Sequence, residues 1–460
     1  MKITLTSEVE VRGRSRELDA KIEATQAYYQ AALEYVLPKI LKNWERIETA
    51  GDNATDKQRI AERLFHATKT NPKPEYPDFD QLFPRMPAYV RRSLLTDAIG
   101  IIQSWKSNLE NWEAEDPNER GKAPQLSYTH VKSPVFYRDN MWRDEINTEL
   151  FTTQLKLYDG KTWDWETISL KRTDARYVHY KAKSGSLCCP TITKKGKKTF
   201  LKFPITYTSD LAEEVAGQER VCAIDLGENT DATCVIMEAD GTVVARLFFK
   251  AGTEKARQTK CVNLIKKKQS KHGARSCRRL WRRANEANEE RVRATVRAIV
   301  DFAIEYSCTS LVFEFLDFKG KIKGSRKQRL HLWRAREVYR RCYDQAHKWG
   351  MRVHQVCAWG TSKLAHDGSG TVERGKYICD ENGKSLGLGY SWVRFSTGKL
   401  YNADLNAAMN IGARYLLRSL LKSLPVTVAC DIKANVLDDR GGSAWTLSSL
   451  IGARAWLAAR

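Results

Sequence analysis

The sequence predicts a multidomain α+β protein whose second half is an α/β domain, and three observations carry that expectation. From residue 220 onward, short apolar runs of strand length alternate with long helical stretches. The first half opens on one alternating strand, passes into helical periodicity and then returns to short β runs. In the second half, carboxylates stand in or at the end of otherwise apolar strands, where a charge costs several kcal/mol unless paired or metal-bound.

Taken in order, residues 2–11 alternate as a half-buried strand, and residues 14–63 turn helical, with Ala24, Tyr28, Ala31, Ala32, Tyr35 and Val36 at three- and four-residue steps. Pro38 predicts a kink or break within that stretch. Pro72, Pro74, Pro77, Pro84 and Pro87 predict a loop, and helical spacing resumes over residues 89–112. Residues 126–207 read as strands, among them 155–158, 175–180 and 199–203, with Asp159-Gly160 and Lys195-Gly196 as hairpin turns. The first half is thus a β-rich module with a helical module inserted after its first strand. In the second half, residues 221–226, 233–237 and 243–249 are strands, the last two joined by Ala239-Asp240-Gly241. A basic helix over 261–306, a strand over 311–315, a helix over 326–349 and a strand over 353–358 follow. Glycine-rich irregular chain leads to a helix over 404–421. Three strands, helix, strand, helix, strand and a late helix is the order of an RNase H-like sheet. Residues 425–460 give no firm reading beyond a turn at Asp438–Gly442.

At 460 residues the chain predicts about two to four domains. Its 77 Lys+Arg against 55 Asp+Glu give a formal charge of +22, a surplus that recruits polyanions and points to nucleic acid. The eleven cysteines lack the spacing of a disulfide scaffold, no signal peptide opens the chain and no uncharged apolar run reaches membrane-spanning length. The expectation is a reducing, intracellular compartment with free thiols and no membrane partner.

The acids are Asp225, after Val-Cys-Ala-Ile; Glu314, inside Leu-Val-Phe-Glu-Phe-Leu; and Asp404, at a helix start where it can cap the helix and face the sheet. Alone, Asp225 reads as a turn residue, Asp404 as a cap and Glu314 as an arginine partner. Together they read as a site for hard divalent ions, since phosphodiester hydrolysis uses two such ions roughly 4 Å apart.

Here the sequence resembles a known family. Asp225-Leu-Gly, the strand glutamate Glu314 and Asn402-Ala-Asp-Leu-Asn-Ala-Ala-Met-Asn-Ile resemble the three RuvC motifs of transposon-encoded TnpB proteins and compact type V CRISPR effectors; Thr361-Ser362-Lys363 and Leu332-Trp333 match as well. The resemblance implies catalytic and metal-binding roles for Asp225, Glu314 and Asp404, with two Mg²⁺ (or Mn²⁺) ions. It also implies a β-barrel wedge domain (residues 1–12 and 123–215) carrying a helical recognition domain (13–122). A RuvC nuclease domain would span 216–358 with its basic bridging helix at about 261–306, a strand-loading loop 359–401, and the third motif and tail 402–460. The partners implied are a guide RNA and a double-stranded DNA target with a short adjacent motif, single-stranded DNA being a further substrate and a homodimer on one guide compatible with the compact size.

One departure stands out. The family's zinc-ribbon ligand positions are here Ala365, Gly368, Arg394 and Thr397, and Cys357, His366 and Cys379 lack paired ligand spacing, so no zinc is expected. The loop would be held by its own packing, with Trp392 and Phe395 as candidates.

Basic residues expected to meet nucleic acid are Lys266, Lys267, Lys268, Lys271, Arg275, Arg278, Arg279, Arg282 and Arg283, continued by Arg291, Arg293 and Arg297, and a second cluster at Lys321, Lys323, Arg326 and Lys327. Arg91, Arg92, Tyr89 and Trp105 are weaker candidates, and Lys194, Lys195, Lys197 and Lys198 read equally well as a guide-RNA contact or a solvated turn. The function expected is RNA-guided, metal-dependent DNA endonuclease. The alternative is an RNA-guided binder that silences or recruits without effective cleavage; a guide-independent resolvase is disfavoured by the long amino-terminal half.

Overall fold

A computed structural model describes the chain except residues 52, 118–119, 128–132, 144–145, 147–148, 214, 216, 274–276, 317–333, 376–377, 380–385 and 438–443. It divides into two compact units, Lys2–Tyr207 and Thr208–Arg460 with Met1.

In the first unit, β1 (Lys2–Arg12) precedes five helices: α1 (Arg16–Lys42), α2 (Trp44–Glu48), α3 (Ala54–Phe65), α4 (Asp78–Leu82) and α5 (Ala88–Glu113). The chain then returns to β2 (Trp142–Arg143), β3 (Thr152–Tyr158), β4 (Trp163–Leu170), the helix α6 (Arg172–Ala182), β5 (Ser186–Leu187), β6 (Thr191–Lys195) and β7 (Lys198–Thr208). The insertion after the first strand is therefore real, because β1 pairs with both β4 and β7 in one seven-stranded sheet. Its strand order is β2-β3-β4-β1-β7-β5, with β6 also paired to β7.

Three local expectations change. Pro38 does not break α1, which runs four residues past it. Pro38 lies on the exposed face, where the carbonyl left without its N–H partner meets solvent. The buried apolar stripe of α1 is Leu18, Ile22, Tyr29, Ala32, Leu33, Val36, Leu37 and Ile40, which keeps Ala32 and Val36 of the expected set but replaces Tyr28 and Tyr35 by residues one position on. Residues 175–180 are helix, not strand. Ala175 and Val178, three apart, are the buried side chains, while Tyr177 and Tyr180 face outward.

In the second unit β8 (Arg220–Asp225), β9 (Ala232–Glu238) and β10 (Val243–Phe249) form an antiparallel meander, with Gly241 at φ 96° in the second turn. The expected single basic helix is two, α7 (Gly252–His272) and α8 (Arg278–Glu305), because Gly273 takes φ 73° and ends the first. Then come β11 (Ser310–Phe315), α9 (Ala335–Lys348) and β12 (Arg352–Cys357). The helix expected from residue 326 is thus seen from Ala335, its earlier part lying outside the described residues. Strand order is β10-β9-β8-β11-β12, with β8, β11 and β12 parallel. Parallel strands covered on both faces read as continuous apolar runs, and β8 is buried from Val221 to Ile224.

The chain between β12 and the late helix is not wholly irregular: β13 (Glu373–Arg374), β14 (Trp392–Arg394) and β15 (Leu400–Asn402) form a small antiparallel sheet. Next are α10 (Ala403–Ser423), α11 (Val426–Asn435) and α12 (Leu447–Ala458), the last two giving structure to a tail the sequence left unread. One face of the large sheet packs on α10 to α12 and the other on α8 and α9. α10 comes very close to the sheet: a Cβ on Gly412 would fall on Met237 Sδ and 3.0 Å from Ala223 Cβ. Gly412→Ala is expected to lower stability by about 1–3 kcal/mol, measured by chemical denaturation, since Ala223 cannot move within its strand. No disulfide joins the cysteines among the described residues, and no described helix is long and apolar enough to cross a membrane.

Candidate active site

Strand alternation aims two of the three acids. Val221, Ala223 and Val312 pack in the core under α10, whereas Cys222, Ile224, Leu311 and Phe313 pack in the core under α8 and α9. Asp225 and Glu314 are the next residues of their strands, so both project toward the α10 face. They are also near one another: β8 and β11 pair in parallel up to Ile224 opposite Phe313, the residues just before the two acids, and the Glu314 charge acts on Asp225. Asp404 is on that same face, in the first turn of α10. The cap itself is Asn402, whose side chain accepts from Leu405 N at 2.9 Å. Asp404 is therefore not the capping residue; the asparagine two positions earlier takes that role and leaves the aspartate turned to the sheet.

All three carboxylates are half-buried. Burial, then the charges of Glu314 and Asp404, push the Asp225 carboxyl well above its ordinary value, against the pull of Arg374. Burial likewise raises Glu314, opposed by the Thr361 hydroxyl and the Arg414 guanidinium. Asp404 is raised by burial and held back by the Thr230 hydroxyl, Arg374 and Lys250. Acids that repel one another in a partly dry cleft favour a cation. Among the described residues no three or more of His, Cys, Asp and Glu form a group that could hold a metal ion by itself. Mg²⁺ does not need one, because it keeps several waters and takes one or two carboxylates together with phosphate oxygens. Carboxylates are the donors a hard divalent ion takes.

A ridge of α10 fixes the loop beside Glu314. Asn406 Nδ2 donates to Leu364 O at 2.8 Å, and Asn410 Nδ2 donates to Thr361 O and Leu364 O at 2.9 Å each. Arg414 Nη1 donates to Cys357 O and Trp359 O, both at 2.8 Å. Thr361 in turn donates to Glu314 Oε2 at 3.2 Å. The four-residue spacing of Asn406, Asn410 and Arg414 is a readable signal for one helix ridge, yet Arg414 escaped the sequence analysis. So did Thr230 and Arg374, whose nearness to the acids depends on the fold and leaves no local trace.

The loop at the zinc-ribbon positions has its own supports. Ala365, Val393, Phe395 and Ala403 form a buried cluster. Phe395 packs as expected, but Trp392 is 42% exposed and Val393 takes the inward place, because register with β15 decides which residue of so short a strand faces in. Arg394 bonds across the sheet to Glu373 at 2.6 Å. His366 stands between Phe395 and Tyr401 and shares Asn406 Oδ1.

Of the basic candidates, Lys266, Lys267, Lys268, Lys271, Arg278, Arg279, Arg282 and Arg283 are exposed on α7 and α8. Arg275, Lys321, Lys323, Arg326 and Lys327 lie outside the described residues, as do Leu332-Trp333 and the Asp438–Gly442 turn. Arg291 does not continue the basic surface: it is buried and paired with Asp231. Arg91 is buried against Glu62 at 3.0 Å, leaving Arg92, over the Tyr89 ring at 5.3 Å, as the exposed cation there. Lys194, Lys195 and Lys198 pair with Glu23, Glu8 and Glu10, which favours the solvated turn over a guide contact.

The Aq_aa04 family model matches residues 5–159. Among curated proteins no sequence matches. Among solved structures the chain is similar to the protein of a Cas12f1–sgRNA–target DNA complex, with 14% identity, 89% of this chain and 98% of that chain covered, and a TM-score of 0.32. It is similar to CasPhi-2 (Cas12j) bound to crRNA, with 11% identity, 90% and 98% coverage and a TM-score of 0.39. It is also similar to C2c1 of Alicyclobacillus acidoterrestris in complex with single-guide RNA, with 11% identity, 86% and 69% coverage and a TM-score of 0.40.

Proposed function

We propose that this chain is an RNA-guided DNA endonuclease with one RuvC-type, RNase H-like site. The observation that carries the reading is the placement of Asp225 and Glu314 side by side on parallel strands, beneath the helix that brings Asp404 to the same face. The β10-β9-β8-β11-β12 order, with its antiparallel half and its helix-linked parallel half, supports the RNase H-like assignment. Asp225, Glu314 and Asp404 would together hold two divalent ions, Mg²⁺ or Mn²⁺. Such ions activate the attacking water and stabilise the leaving oxygen. Thr361 orients the Glu314 carboxylate, and Arg374 offers positive charge to an incoming phosphate.

Guide pairing would read the target sequence, while Lys266 to Arg283 hold backbone phosphates without choosing among sequences. Cas12f1, CasPhi-2 and C2c1 are bound to guide RNA in the structures named above, and the reading gives this chain the same class of partner, in a prokaryotic cytoplasm. The test is to purify the protein with its native locus, sequence the RNA that survives, and offer matching DNA with Mg²⁺. One defined RNA and metal-dependent cutting are expected. Binding without cutting would leave the guided binder, which the replaced zinc-ribbon positions favour; absence of bound RNA would overturn both.

A further inference from the structure

The loop directly after Asp225, residues 226–231, is tied down by two helices that also carry the exposed basic residues. Gly227 folds it tightly, since a Cβ there would lie 2.7 Å from Thr230 O. Asp231 is 6% exposed and Arg291, on α8, 7%. Arg291 Nε donates to Asp231 Oδ1, and its Nη2 donates to Glu228 O at 3.2 Å. From the first turn of α7, Lys255 Nζ donates to the same Glu228 carbonyl at 2.6 Å. Asp231 Oδ2 accepts from Ala251 N, just ahead of α7, at 2.8 Å. Along the helices, Lys255 lies about 16 Å from Lys266 and Arg291 about 12 Å from Arg283, at 1.5 Å per residue.

We propose that Lys255 and Arg291 are positioning residues that couple the acid site to nucleic acid held on the α7–α8 pair, by fixing the loop on which Asp225 ends. The inference rests on the nuclease reading of that site. A duplex that braces the helices braces the loop, and with it the Asp225 carboxylate; by reciprocity, metal at the acids tightens the duplex. Thr230, in the same loop, lies against Asp404, so a second acid is reached as well. Neither Lys255 nor Arg291 touches the reacting atoms.

The test uses the full-length protein and a fluorescent RNA–DNA heteroduplex, with affinity read by anisotropy in EDTA and in Ca²⁺ at matched ionic strength. Ca²⁺ is expected to tighten wild-type binding by roughly fivefold or more, and Asp225→Asn should abolish that gain. Lys255→Met, at a half-buried position, should keep the EDTA affinity and lose most of the Ca²⁺ gain. The double variant Asp231→Leu with Arg291→Met should do the same, since replacing a buried ion pair by apolar residues of similar volume is often neutral for stability; a melting curve checks its fold. A wild-type gain retained in full by Lys255→Met overturns the coupling and leaves the nuclease reading intact. A wild type that binds the duplex without any Ca²⁺ gain overturns the coupling too. Failure to bind the duplex at all sinks the guided reading together with the inference.

Discussion

Asp225→Ala is expected to reduce Mg²⁺-dependent cutting of guide-matched DNA by about 10³-fold or more, equivalent to about 4 kcal/mol of transition-state stabilisation. Guide and target binding measured in EDTA should stay near wild type, because the cations expected to meet phosphate are exposed on α7 and α8 and not among the acids. Asp225 is the strongest single choice because both other carboxylates act on it electrostatically. Glu314→Gln and Asp404→Asn should fall in the same range, since either replaces a charged carboxylate by a neutral amide, a much weaker donor to a hard divalent ion. Thr361→Val removes only the hydroxyl that orients Glu314 and should cost about 10–100-fold, as outer partners of metal ligands do. Cutting rates measured at saturating Mg²⁺ with one guide would separate the two classes. An Asp225→Ala protein that cuts at the wild-type rate would show that the hydrolysis occurs elsewhere.

The elements that carry the acids were legible because a carboxylate inside an apolar strand breaks a local rule. Residues 221–224 and 310–313 are buried in an unbroken run, as a strand covered on both faces is, and Asp225 and Glu314 stand out directly after them. Asp404 was legible as a site residue but not as a non-cap, because Asn402 and Asp404 both suit a helix start and only geometry decides between them. Residues 175–180 were misread since six residues with apolar positions two or three apart fit either period. Arg291 looked like more of the basic run because its partner, Asp231, lies sixty positions away and across the fold. Arg394 and Glu373 are another such pair. Charge runs describe composition, and pairing decides which charges remain available to a polyanion.

The same repulsion that prepares the site for a cation should weaken the metal-free fold at neutral pH. Asp225, Glu314 and Asp404 all have folded-state pKa values raised by burial, with mutual charge adding at Asp225. A carboxyl of this kind takes a proton more readily folded than unfolded. Its contribution to stability is therefore full below the unfolded value, near pH 4, and is lost as pH rises through the folded value. Melting in EDTA should show the thermal midpoint of the Thr208–Arg460 unit falling as pH is raised from about 4 through neutrality, where ordinary surface carboxylates would hold it level. Asp225→Asn removes the most strongly shifted acid and should flatten that slope, with a gain of roughly 0.5–2 kcal/mol at neutral pH. Mg²⁺ should raise the wild-type midpoint at pH 7 by mass action, by about 2.7 kcal/mol at a hundred times its dissociation constant, and do nothing for Asp225→Asn. A metal-free midpoint that rises with pH over this window would mean the three acids are compensated by partners within the protein. In that case they form a structural network, and the cation the nuclease reading requires has no electrostatic reason to bind there.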